Sequence, residues 1–498
     1  MFWSGLLFSC VSSIPTGDPQ RPDIILVSID TLRADHLSCY GYERSTSPFI
    51  DQLARTGVRF VDARSPSPWT LPTHTTMLTG LHPHNHGVVD DSIHRGDDVL
   101  MLAQAMKEEG YETAGFVSSL YVSSVFGFDK GFDHFDDFGL HTEKQNLSGM
   151  VRASQVVDKA LTWMQSRKEG TPIFVFLHFY DVHYPYEPPS PYDELFDRAS
   201  HKGENRYKNY FYYQKNIPSA DDFLHIQAQY DESIRYVDDQ LARFSKEIQN
   251  RHVRWVITAD HGEEFGERGS WGHAHTLYQE QLHVPLLISG AGITAKEETR
   301  RVGIEDIMPT IFSLLGRSSF SGDGVNILAE DIPERLFVAE TSRFRSCRLS
   351  VADSSHRLEW DLNAHKAEIF VASDQQEKNN VASTEEARMI KMKQELLEKI
   401  GFRWQAKSAG EVLAPFIWDG TMLHHKKKKV EKGDRFTVFP FDLPFQFQVG
   451  KKTSIFSRVS RLNSQSELVY LGKDFVQSQQ LDTNVEQMLQ QLGYIQED

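Results

Sequence analysis

Cysteine is scarce in this chain, with three in 498 residues: Cys10, Cys39 and Cys347. So small and scattered a set excludes a disulfide framework. Long apolar runs are missing as well. No stretch reaches the roughly 18 apolar residues that a membrane helix needs, so no transmembrane span is expected. Basic charge is thin: 53 Lys and Arg against 69 Asp and Glu leave a formal net charge of −16. That balance excludes broad nucleic-acid binding, and the single basic run, Lys426 to Lys429, is too short to reverse it. An acidic protein with an anionic substrate needs a local source of positive charge, and a bound metal ion supplies it most simply. The remaining composition, 40% hydrophobic and 24% charged, is that of a folded protein of more than one domain.

Residues 1–22 read as a signal or a disordered N-terminus. Leu6-Leu7-Phe8-Ser9-Cys10 ends as a bacterial lipoprotein signal does, which makes Cys10 a candidate lipid anchor. The apolar stretch Phe2 to Ser13 is short, however, and no Lys or Arg precedes it. A periplasmic or cell-envelope protein is the expectation, and a cytoplasmic one the alternative.

Three apolar runs carry polar groups at their ends. Ile24 to Ile29 ends in Asp30, Val253 to Thr258 in Asp260-His261-Gly262, and Ile173 to Phe179 in Asp181-Val182-His183. Such runs read as buried parallel strands of an α/β fold, in which ligands bind beyond the carboxyl ends. Carboxylates and an imidazole gathered there could hold a divalent cation. A fourth segment, Pro68 to Gly80, presents Thr70 as the expected N-cap of a helix, with Pro72 in its first turn and Gly80 past its end. Free N–H groups and the helix dipole suit an anion there, and a threonine hydroxyl becomes a nucleophile when a metal or base activates it.

These segments resemble the sulfatase family, within the alkaline phosphatase-like superfamily. The matching stretches follow the family's order: Asp23 to Leu37, Ser47 to Phe60, Pro68 to Val88, Leu102 to Phe116, Phe176 to Pro189, Tyr230 to Leu241, Thr258 to Ile288 and Ile304 to Gly316. The resemblance implies a mostly parallel central sheet between helices, with a metal-dependent ester-cleaving site on its carboxyl edge. Asp30 matches the first metal aspartate and Asp260 the later one. Thr31 stands where many members have a second aspartate. His261 replaces an asparagine and resembles the Asp-His pair of phosphohydrolase and phosphotransferase branches. Thr70 falls where sulfatases carry the Cys or Ser that becomes formylglycine, an aldehyde threonine cannot form. His74 replaces the arginine of the maturation motif, and Val117-Ser118-Ser119-Leu120 replaces a Lys-Trp-His stretch.

The set Asp30, Thr70, Asp260 and His261 therefore resembles the single-metal site of lipoteichoic acid synthase and the phosphoethanolamine transferases, which use a threonine nucleophile. The resemblance implies one divalent ion. Manganese, zinc or iron is favoured over calcium or magnesium because of the histidine ligand. It also implies that His183 and one of His273 or His275, preferably His273, hold the substrate's non-bridging oxygens, with His74 nearby in the substrate site.

Plainer readings compete. Thr70 and Asp30 could be simple helix caps, and His183, in the Pro/Tyr-rich stretch 184–189, a loop histidine bonded to backbone. His82, His84 and His86 look like a metal cluster but are expected to be loop histidines. His424-His425 reads as part of a solvated run.

The expected organisation is a catalytic domain over 23–333, a small C-terminal α+β subdomain over 334–402, and an extra β-rich module or degenerate repeat of that subdomain over 403–498. In the last of these, Val438, Phe439, Phe441, Phe445 and Phe447 alternate as strands do. Residues 190–217, rich in Tyr207, Tyr210, Tyr212 and Tyr213, read as an insertion over the strand ends, and 221–249 as a long core helix. Function narrows to a hydrolase of sulfate or phosphate esters, with phosphoryl chemistry favoured by Thr70. A soluble phosphoryl transferase and a silent binding protein are the alternatives. The substrate would be a small anionic ester or a glycan or lipid headgroup.

Overall fold

The computed structural model describes residues 14, 16–18, 20–91, 93–94, 99–140, 151–197, 216–317, 320–419, 422–439, 445–449, 452–456, 468–470 and 479–480. Cys10, the Phe2 to Ser13 stretch, Tyr207, Tyr210, Tyr212, Tyr213 and Phe441 lie outside them.

The core is one nine-stranded sheet. Its strands are β1 Asp23–Ile29, β2 Val58–Arg64, β3 Glu112–Phe116, β4 His134–Asp136, β5 Ile173–Phe179, β6 Val253–Thr258, β7 His283–Gly290, β8 Lys296–Glu298 and β9 Val302–Gly303. They lie in the order β8-β2-β7-β6-β1-β5-β3-β4, with β9 also paired to β2. Only β7 runs antiparallel to its neighbours. The rest is parallel, as the continuous apolar runs require: every residue of β1 and of β5 is buried. Because β1 lies between β6 and β5, the sheet reverses its winding there, and the crevice beyond β1 is the natural ligand position.

Helices cover the sheet: α1 Pro48–Thr56, α2 Thr70–Thr79, α3 Leu102–Glu108, α4 Ala153–Gln165, α5 Ala220–Glu247 and α6 Ile307–Leu314. The long helix predicted over 221–249 is α5. Ser219 caps it, accepting the Asp222 N–H at 3.1 Å. Helix α2 is buried on all sides and stops at Gly80, whose φ of 68° lets its N–H reach the Thr76 carbonyl. A β-carbon at Gly80 would also stand 2.3 Å from the Phe320 ring.

After residue 333 comes an antiparallel sheet of four strands, β10 Phe337–Thr341, β11 Arg348–Ala352, β12 His356–Asp361 and β13 Lys366–Val371, joined in sequence order. Helix α7, Glu386–Ile400, packs Met392, Leu396, Leu397 and Ile400 onto it. Beyond α7, two small antiparallel sheets share a separate core of Trp404, Val412, Ile417, Phe436, Val438 and Phe447. Glu467 to Tyr470, the sequence echo of Ala367 to Phe370, yields the strand Leu468–Tyr470 in one of these sheets. Leu489 to Ile495, which echoes the sequence at the end of α7, lies outside the described residues. The α/β class expected from the sequence is the class observed.

Candidate active site

Asp30, Asp260 and His261 meet at the carboxyl edge beside β1, each fully buried, with one ligand-capable atom per residue lying within 4.8 Å of the others. Among the described residues this is the one group of three or more with that property. His82, His84 and His86 do not form another. His84 bonds Glu340 at 2.8 Å, His86 bonds Thr76 at 3.1 Å, and His82 lies 3.7 Å from Glu305. They sit in or beside the short helix Pro83–His86 and brace it. His424 pairs with Asp419 at 2.6 Å on a surface hairpin.

A turn at Thr31, with φ of 58°, aims its N–H at Asp260 Oδ1 over 3.2 Å, and the His261 N–H reaches the same oxygen at 2.9 Å. Oδ2 of Asp260 and both oxygens of Asp30 have no hydrogen-bond partner among the described residues. Asp260 Oδ2 lies 3.3 Å from His261 Nε2, and Asp30 Oδ1 lies 3.8 Å from it. Nδ1 of His261 donates to the Gly262 carbonyl at 2.9 Å, which leaves the Nε2 lone pair facing the carboxylates. Burial pushes Asp30 up to about 7 and also raises Asp260, where the neighbouring Asp30 charge adds to the effect. Buried carboxylate oxygens without partners, converging on an imidazole lone pair, fit a divalent cation.

Thr70 completes the cluster. Its hydroxyl lies 3.4 Å from His261 Nε2. The sequence placed Thr70 as the N-cap. In the structure Trp69 occupies that position without a side-chain bond, and Thr70 is the first helical residue. Its hydroxyl is therefore not consumed in capping and points to the carboxylates.

Two more histidines face this point. The His183 ring lies 4.9 Å from that of His273, which lies 4.6 Å from that of His261. His183 Nδ1 donates to the Tyr184 carbonyl at 2.8 Å, so the expected backbone bond exists, but within the site. His273 Nδ1 bonds Glu263 at 3.0 Å. Burial, then nearby imidazoles, hold both rings well below the ordinary histidine range. His275 turns away: Nδ1 bonds the His273 carbonyl at 2.7 Å and Nε2 lies 3.4 Å from Glu264. Of the two candidates, His273 is the one whose ring lies beside those of His183 and His261. His74 is a correction. It is fully buried, with Nδ1 on the Thr70 carbonyl at 2.8 Å and Nε2 on Ser28 Oγ at 2.9 Å. With both nitrogens committed behind Asp260, it holds the site together and does not line it. Asp181 does not join the ligands either; both of its carboxylate oxygens are buried without a hydrogen-bond partner among the described residues, and burial pushes it up to about 7.

Sequence reasoning missed His178 and Glu263. His178 lies on β5 with Nε2 at 3.4 Å from Asp30 Oδ2. A lone imidazole inside an apolar buried strand was the available signal.

The family model for sulfatases matches residues 22–317, more than half of the chain. The chain belongs to the sulfatase family. It is 24% identical over 363 residues to YidJ, an uncharacterized sulfatase of Escherichia coli, covering 64% of this chain and 73% of that one. It is 25% identical over 357 residues to an ulvan-active sulfatase of Formosa agariphila, covering 66% and 68%. Among solved structures, the fold matches a phosphonate monoester hydrolase of Agrobacterium radiobacter with a TM-score of 0.61 at 20% identity, over 76% of this chain and 95% of that one. Sulfatase-family membership makes this chain an ester hydrolase of the sulfuric or phosphoric class, within the alkaline phosphatase-like superfamily. No described helix is long and apolar enough to cross a membrane.

Proposed function

We propose that this sulfatase-family hydrolase cleaves phosphate esters through Thr70 as a covalent nucleophile. The observation that carries this reading is the Thr70 hydroxyl at the first residue of α2, 3.4 Å from His261 Nε2 and facing the partnerless oxygens of Asp30 and Asp260. Asp30, Asp260, His261 and Thr70 would hold one divalent ion. When bound, it supplies positive charge that favours the threonine alkoxide and an anionic ester. A histidine in the set favours a transition metal.

The chain's own groups do the rest. Thr70 Oγ1 attacks phosphorus in line, its bond to phosphorus forms as the ester P–O bond breaks, and the alcohol departs with a proton. His183 and His273, with Nδ1 on the Tyr184 carbonyl and on Glu263, would hold the non-bridging oxygens through Nε2–H as imidazolium ions, the anionic ester favouring the added protons and the His183 Nε2 leaving the Tyr180 hydroxyl that it meets at 3.3 Å. Water then displaces Thr70 from phosphorus and regenerates the hydroxyl. The similarity to an ulvan-active sulfatase favours a second reading, in which the same displacement occurs at a sulfate ester, a small anionic or glycan-borne one.

The test is a paired assay of metal-loaded protein on nitrophenyl phosphate monoester, phosphodiester and sulfate ester. Phosphoester cleavage that falls by about 10³-fold or more in Thr70→Ala, with the circular dichroism spectrum unchanged, is the expected result. Unchanged kinetics in the variant would remove Thr70 as nucleophile. Cleavage of the sulfate ester alone would establish the second reading.

A further inference from the structure

We infer that His178 is a positioning residue for Asp30 that sets the affinity of the metal site. This inference rests on the single-metal reading given above. His178 and Ser28 are register partners on adjacent parallel strands, so their side chains emerge on the same side of the sheet as Asp30, two residues beyond Ser28.

The ring's protonation follows from its neighbours. The Ser118 backbone N–H, which can only donate, points at His178 Nδ1 over 3.4 Å, and the Ser118 hydroxyl proton is committed to the His178 carbonyl at 2.8 Å. Nδ1 therefore accepts, the proton sits on Nε2, and Nε2–H faces Asp30 Oδ2 at 3.4 Å. Both atoms are fully buried and make no hydrogen bond among the described residues, so the 3.4 Å approach is a close polar contact that a small shift of the carboxylate would close. An imidazole that presents N–H cannot at the same time be a ligand. It can hold the Asp30 carboxylate in one orientation, with Oδ1 turned toward His261 Nε2.

His74 plays the matching part for Asp260. Its Nδ1–H, bonded to the Thr70 carbonyl, also lies 3.5 Å from Asp260 Oδ2. The two rings meet edge to face with centroids 4.9 Å apart. Two neutral imidazoles thus form a floor under the two carboxylates, and His178 is the one whose N–H has no other use.

Partners of this kind behind a ligand are worth about 10- to 100-fold in metal affinity. The experiment is calorimetric titration of manganese and zinc into chelator-stripped full-length protein, with melting of the stripped protein alongside. His178→Phe keeps a flat ring, slightly larger, and removes both nitrogens; His178→Gln places an amide N–H near the Nε2 position. The expected result is a 10- to 100-fold loss of affinity in the Phe variant and recovery of most of it in the Gln variant, with metal-free melting unchanged between the two. Parent-like affinity in the Phe variant overturns the inference. Failure of Gln to recover affinity also overturns it, because an N–H donor at that position would then not be what supports Asp30. If the Phe variant does not fold, the Gln variant alone decides by the same criterion. A parent chain that binds neither ion, like an Asp30→Asn control that binds as the parent does, rejects the single-metal reading itself and this inference with it.

Discussion

His275 shows how one side chain's surroundings decide its use. Burial pulls its imidazole down, but the hydrogen bond and charge of Glu264 outweigh this and leave it above the ordinary value. Burial raises Glu264, while His275, Thr276 and Gln281 bring it below its ordinary value. A histidine raised on folding stabilises fully below its unfolded pKa, about 6.5, and loses that contribution as pH climbs through the raised value. A lowered glutamate stabilises above its unfolded pKa, about 4.3, and loses the contribution in acid. The pair should therefore stabilise most between these limits. His275→Gln is expected to lower the melting temperature most near pH 5.5, with the gap to the parent narrowing toward pH 9; a constant gap across melting scans would refute the assignment. At this scale much was legible. Asp30, Asp260, His261 and Thr70, named from strand ends and a helix start, lie together in the fold. His74 was misplaced because sequence order does not tell whether a helical side chain faces the substrate or the sheet, and His178 was passed over as core.

The strands near the site are held at their other end by a buried ion pair. Asp23 opens β1, accepts the Ile173 N–H of β5 at 3.0 Å and pairs with Arg251 just before β6. Three central strands are thereby fixed in register, and with them the positions of Asp30, His178 and Asp260. Asp23→Ala strands a buried guanidinium and should cost about 3–5 kcal/mol, while Asp23→Leu combined with Arg251→Leu should recover much of it. Urea unfolding of the two variants checks this; equal losses would mean the pair does not act as a unit. Apolar runs and the long amphipathic α5 were readable because burial imposes a period on sequence. The start of α2 was read one residue late, since Thr70 has the chemistry of a cap and Trp69 does not.

The C-terminal sheet reaches into the catalytic half. Edge strand β10 bonds the loop before α2 through Glu340 N–H to the Pro66 carbonyl at 3.0 Å, and Ser67 Oγ donates back to the Glu340 carbonyl at 3.0 Å. The Glu340 carboxylate takes both the backbone N–H and ring Nδ1 of His84 at 2.8 Å, and Thr341 Oγ1 donates to the Ala274 carbonyl between His273 and His275 at 3.1 Å. The subdomain thus clamps the segments that carry Thr70 and His273. Glu340→Ala should cost about 1–3 kcal/mol by denaturant titration, and a loss under 0.5 would argue against the clamp. Composition alone could not reveal this contact, because it joins residues more than 250 positions apart. One consequence concerns the order of events. The charged neighbours acting on Asp30 and Asp260 are imidazoles and carboxylates, not guanidinium or ammonium groups. The one guanidinium acting on a histidine of the pocket is Arg343, beside His273 and not beside the carboxylates, so the expected order of addition is cation before ester. Inorganic phosphate should then raise the melting temperature only of manganese- or zinc-loaded protein, and an equal rise in the stripped protein would mean random addition.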